Sequence, residues 1–180
     1  MMVTRFISLF GLSLGLLSAA GPAAVAGEPE IVGSPRFSNQ VYQAMLLLRT
    51  KDTNAYVIVT NYVWRIRQGE RSGMWAYLTP PTYEMADSTT FHSLTWCAAT
   101  IAHDSFHSKL YHDYRNAHGG AVPDKVWTGQ AAEELCMKHQ IAVMERIGAS
   151  KSEIDYAKKQ SSGKYVKDNE TWEDYKKRNW

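Results

Sequence analysis

Residues 94–107 read LTWCAATIAHDSFH, and the character of this stretch decides the fold. From Leu94 to Ala102 almost every side chain is apolar or small. Then His103, Asp104 and His107 arrive within five positions. A run this apolar fits a helix buried inside a domain, and Ser88, Thr89 and Thr90 are suitable N-cap residues for it. The expectation is a helix over roughly 90–114. On that helix the two histidines, at i and i+4, stand about 40° apart around the axis and one turn apart along it. Both imidazoles then reach the same point in space. A buried helix that presents two histidines and an acid must satisfy them, by metal ligation or by hydrogen bonding.

Working outward, the flanking segments are mostly helical. Residues 38–50 place Val41, Ala44, Met45 and Leu48 on one face of a helix. Residues 54–68 are rich in β-branched side chains, yet Tyr56, Val59, Val63 and Ile66 keep helical spacing, which favours helix. Residues 69–73 (GERSG) form a turn, and 74–85 read as extended. There Pro80-Pro81 restricts any strand to an edge or to two short pieces. Residues 116–128 form a loop. A second long helix is expected over 129–147, stopped by Gly148. Ser150 and Glu153 make a capping box for a third helix over 151–161. The fold class is therefore α+β, mainly α, with a short extended segment before the motif helix.

The whole chain has 180 residues, 20 Lys+Arg against 18 Asp+Glu, and 44% hydrophobic residues. This excludes a disordered chain and a disulfide-dense mini-protein, and the near-balanced charge argues against nucleic acid as a partner. Residues 1–26 carry a basic start, an apolar run over 6–17 and the small-x-small box Ala24-Val25-Ala26, the pattern of a secretory signal peptide. The expectation is a secreted or periplasmic protein with a single domain over 27–180 and no membrane association after cleavage. Export permits a disulfide, and Cys97 and Cys136 can either pair or remain buried thiols. The oligomeric state is open.

The second long helix offers a third metal ligand. Glu133 shares a face with Cys136, Met137, Gln140, Val143 and Ile147, which looks inward. Glu134 falls beside Lys138 and Glu145 and reads as a solvated charge.

This arrangement resembles the zincin metallopeptidases, whose HExxH helix supplies two zinc ligands and a general base. In the gluzincin branch a Glu on a following helix, often in an E-x-x-A context, is the third ligand. His103 and His107 match the two histidines. Glu133, with Cys136 in place of the small residue, matches the downstream Glu. The resemblance covers roughly residues 90–148. It implies a zincin-like helical core, a Zn2+ cofactor held by His103, His107 and Glu133, and a peptide or protein substrate. It also implies that the extended stretch ahead of the helix is the strand that holds such a substrate. The base position departs from the pattern: Asp104 stands where the family has Glu. Aspartate is shorter by a methylene, roughly 1.5 Å, and a misplacement of about 1 Å can cost ~100-fold in rate. Asp104 is thus either the catalytic base or a group that orients a histidine.

The leading expectation is a secreted zinc-dependent peptidase or amidase. The alternative is a non-catalytic zincin-like protein that keeps the metal site or the scaffold for binding or stability, closed by a fourth ligand such as His112 or His118. Ala102-His103-Asp104 also resembles the HD-type metal phosphohydrolases. Those have a further histidine upstream, for which His92 is the sole upstream candidate here.

Overall fold

Ser93 starts the central helix. Its backbone is extended and its hydroxyl accepts the Trp96 amide at 2.9 Å, the hydrogen bond that defines an N-cap. The computed structural model describes residues 27–161. In it the chain runs β1 (Glu30–Val32), α1 (Pro35–Lys51), α2 (Thr53–Tyr62), β2 (Arg65–Gly69), β3 (Gly73–Trp75), β4 (Thr82–Ala86) and α3 (Asp87–Thr90). Then follow α4 (Leu94–His118), α5 (Asp124–Trp127), α6 (Gly129–Ile147) and α7 (Lys151–Ser161). The architecture is α+β and mainly α. The expected signal peptide and the tail from 162 lie outside the described residues. No helix among the described residues is long and apolar enough to cross a membrane.

Helix α4 is the centre of the molecule. Every residue from Trp96 to Ser105 is buried, so the helix is enclosed on all sides rather than amphipathic. Ala98, Ala99, Ala102 and Ser105 are small enough for neighbouring backbones to approach closely. Around it pack Phe37, Val41, Ala44 and Leu48 of α1, Ala55 and Val59 of α2, and Met137, Val143 and Met144 of α6. Ser108 donates to the Tyr62 carbonyl at 2.6 Å and fixes α4 against the end of α2.

The sheet has the order β1-β2-β4-β3. β1, β2 and β4 are parallel, with Ile31, Ile66 and Tyr83 in register, and β3 is the antiparallel edge strand paired to β4. A parallel β1–β2 pair requires a long crossover, which α1 and α2 supply. β4 is buried at four of its five positions, as an interior strand must be.

Three sequence expectations need correction. The helix over 54–68 ends at Tyr62, and Ile66 belongs to β2; the β-branched content, not the helical spacing, governed that half. The N-cap of α4 is Ser93, because residues 87–90 form the separate one-turn helix α3, in which Thr90 donates to the Ala86 carbonyl. The 116–128 loop holds a further short helix, α5. The proline pair does split its segment into two short strands. Gly148, left-handed at φ 81°, ends α6, and Ser150 and Glu153 exchange the two hydrogen bonds of a capping box.

Candidate metal centre

Helices α4 and α6 pack against each other and bring three acceptor atoms together. His103 Nε2 and His107 Nε2 are 3.1 Å apart. Glu133 Oε2 lies 3.4 Å from the first and 3.5 Å from the second. Ligands held at 2.0–2.1 Å around a tetrahedral zinc ion are separated by about 3.3 Å. A circle through these three atoms has a radius of about 1.9 Å, so an ion at zinc distance fits a little above their plane.

The orientation of His107 makes this convergence informative. Its Nδ1 faces the Trp127 carbonyl at 2.6 Å, and a carbonyl can only accept. The proton is therefore on Nδ1, and a neutral ring turns a bare lone pair towards His103 and Glu133. This is the hydrogen bond that normally fixes a metal-ligating histidine. The His107 lone pair can accept a proton from His103 Nε2, or the three atoms can share a metal ion. Burial by itself lowers the His107 pKa, but the neighbouring Cys136 and Glu133 outweigh it and hold the imidazole well above its ordinary range. Glu133 is driven the other way, against its own burial, by hydrogen bonding and charge from the two histidines.

Cys136 follows Glu133 by one helical turn on the same face of α6. Its sulfur and one nitrogen from each of His103 and His107 lie within 4.8 Å of one another, and all three residues are buried. The cluster can hold a metal ion. Cys136 is not in a disulfide: it and Cys97 are both free and buried. Cys97 stands six residues before His103, on the other side of α4, where its thiol meets Met85 Sδ at 4.0 Å.

Asp104 is buried at 4% exposure. Burial pushes its carboxyl up to about 6, with His103 and His107 pulling the other way. Its neighbour is Tyr83 from the middle of β4, also fully buried. Neither Asp104 Oδ2 nor the Tyr83 hydroxyl makes a well-formed hydrogen bond. Glu134 is exposed and accepts from Gln130, away from the site. The other histidines are elsewhere. His112 packs against Tyr62 and Tyr111, and exposed His118 stacks on Tyr114, so neither closes the site. His92 lies over Trp96 at the far end of α4, and His139 stacks on Phe106.

Beside the site, β3 forms the sheet edge, and Trp75, Tyr77 and Trp127 line a groove with Arg71 and Thr128. Trp127 belongs to both, since its carbonyl holds His107. Sequence reasoning did not reach Trp127, because a backbone carbonyl carries no sequence signal. It did not reach Tyr83 either, whose approach to Asp104 depends on strand order. Cys136 was within reach, since a thiol three residues after an inward Glu points to the same place. No family model matches the chain, and no curated protein or solved structure is matched by it.

Proposed function

We propose that the protein is a secreted zinc-dependent peptidase or amidase in which His103, His107 and Glu133 hold the ion. The observation that supports this reading is the triangle of 3.1, 3.4 and 3.5 Å drawn by Nε2, Nε2 and Oε2. Two imidazoles and one carboxylate are the donor set of a catalytic zinc site with one open position. When bound, zinc supplies Lewis acidity and makes a water acidic enough to attack near neutral pH. The protein's own residues do the rest. Trp127 fixes the His107 tautomer through its carbonyl. Asp104 would take the proton from the attacking water; its burial raises the affinity of its carboxyl for that proton. The outer edge of β3, an edge strand among the described residues, would offer backbone groups to an extended peptide, with the Trp75, Tyr77 and Trp127 groove receiving its side chains.

A second reading, a non-catalytic metal site, is favoured by the burial of His103 at 1% and Asp104 at 4% exposure, which leaves little room for a substrate. One experiment separates the two. Purified wild type should carry one zinc and cleave members of a broad peptide library. His103→Ala, His107→Ala and Glu133→Ala should each lose zinc by equilibrium dialysis, while Glu134→Ala keeps it. Stoichiometric zinc without any cleavage selects the non-catalytic reading. Equal zinc affinity in wild type and the His103→Ala, His107→Ala double variant overturns both.

A further inference from the structure

We infer that Cys136 is a fourth ligand to the same ion, so that the resting site is a closed set of two imidazoles, one carboxylate and one thiolate; this rests on the metal reading of His103, His107 and Glu133. The thiol is already in place. Its sulfur lies within 4.8 Å of a nitrogen of each histidine. Around an ion at 2.0–2.1 Å from nitrogen and 2.3 Å from sulfur, the nitrogen–sulfur separation is about 3.5 Å. From at most 4.8 Å the gap closes with a shift of no more than about 1.3 Å, within the reach of a rotation about Cα–Cβ. Glu133 and Cys136, three apart on α6, present their donors from successive turns of one face. Cys136 is buried and unpaired by any disulfide.

The thiolate changes what the site is. Sulfur selects zinc over magnesium, calcium and manganese, which favour oxygen. A fourth protein ligand also fills the position that a hydrolytic water needs. Hydrolysis then requires the Cys136 side chain to rotate off the ion, and its single rotatable bond allows this without moving α6. A small apolar side chain at this position would leave the fourth position open.

The test is the absorption spectrum of the full chain loaded with cobalt(II), a spectroscopic substitute for zinc. Wild type should bind one cobalt and show a near-ultraviolet thiolate-to-cobalt charge-transfer band. Cys97→Ser should keep the band. Cys136→Ser should lose the band, still bind one cobalt through the remaining three ligands, and bind it at least about tenfold more weakly. One bound cobalt without a thiolate band in wild type overturns the role of Cys136 and leaves the three-ligand site standing. No cobalt bound by wild type removes both. Absence of the band in wild type is decisive without any variant; where the band is present, retention in Cys97→Ser assigns it to Cys136, and loss in Cys97→Ser with retention in Cys136→Ser overturns the inference.

Discussion

His107 is where the chemistry of the site can be read most directly. Burial lowers its pKa, but Cys136 and Glu133 outweigh burial, so the metal-free ring favours its protonated form. Zinc needs the same lone pair, so binding must displace that proton. Zinc affinity should therefore keep rising with pH beyond the ordinary imidazole value of 6.5, and uptake should release protons. Calorimetric titration in buffers of different ionisation enthalpy measures this; pH-independent uptake would contradict it. Asp104 gives a second prediction. As a base it works only when ionised, so hydrolysis should fall on the acid side as Asp104 takes up a proton; burial raises its carboxyl in the metal-free protein, and a nearby zinc ion would draw it down again. Asp104→Asn should abolish hydrolysis while sparing zinc, and Asp104→Glu should retain or raise it. An unchanged acid limb in the pH–rate profile of Asp104→Asn would remove the residue from the mechanism. The two histidines and Glu133 were legible because helical spacing fixes which residues share a face. The Trp127 carbonyl was not, because a loop delivers it.

At the scale of elements, α4 and α6 carry the donors, and the rest of the fold sets their separation. Asp52 is one of the joints. It caps α2 by accepting the Ala55 amide at 3.2 Å, and its second oxygen accepts from Arg146 Nε at 2.6 Å near the end of α6. The side chain is almost fully buried, whereas Arg146 is partly solvated. Asp52→Ala should therefore cost about 1–3 kcal/mol, chiefly through the lost cap and a buried amide left unpaired. Asp52→Asn keeps the capping oxygen and should cost less. Urea denaturation measures both, and equal losses would assign the effect to the ion pair instead. The capping box and Gly148 were legible because they are local, set by the dihedrals and hydrogen bonds of a few adjacent residues. The junction at Tyr62–Arg65 was not. There local spacing favoured helix, but pairing with β1 and β4, which are distant in sequence, recruited Ile66 into the sheet.

For the whole molecule the metal and the fold are linked, and the sign of that link depends on pH. In the metal-free protein the raised His107 pKa contributes stability fully present below 6.5, its ordinary value, and lost as pH rises through the folded value. Asp104 acts in the same direction. Its folded pKa of about 6 stands above the ordinary 3.8, so the folded state binds more protons in that window and stability falls as pH rises across it. Glu133 opposes them only in acid. Its pKa is lowered from 4.5, so its contribution is present above 4.5 and lost as pH falls through the folded value. Of these three groups only His107 titrates above pH 6.5, and its contribution to the metal-free protein should be lost as pH rises beyond that value. Zinc reverses this, because it replaces the His107 proton and binds more tightly as that proton leaves. With free zinc about 1,000-fold above its dissociation constant, binding adds about 4 kcal/mol. At about 2–4 °C per kcal/mol for a domain of this size, Tm should rise by roughly 8–16 °C. The gap in Tm between zinc-loaded and chelator-treated protein should widen steadily from pH 6 to pH 8. Calorimetric scans at several pH values read it directly; a gap that stays constant or narrows would mean that zinc binds without displacing the His107 proton, and no gap at any pH would mean that zinc does not bind the folded chain.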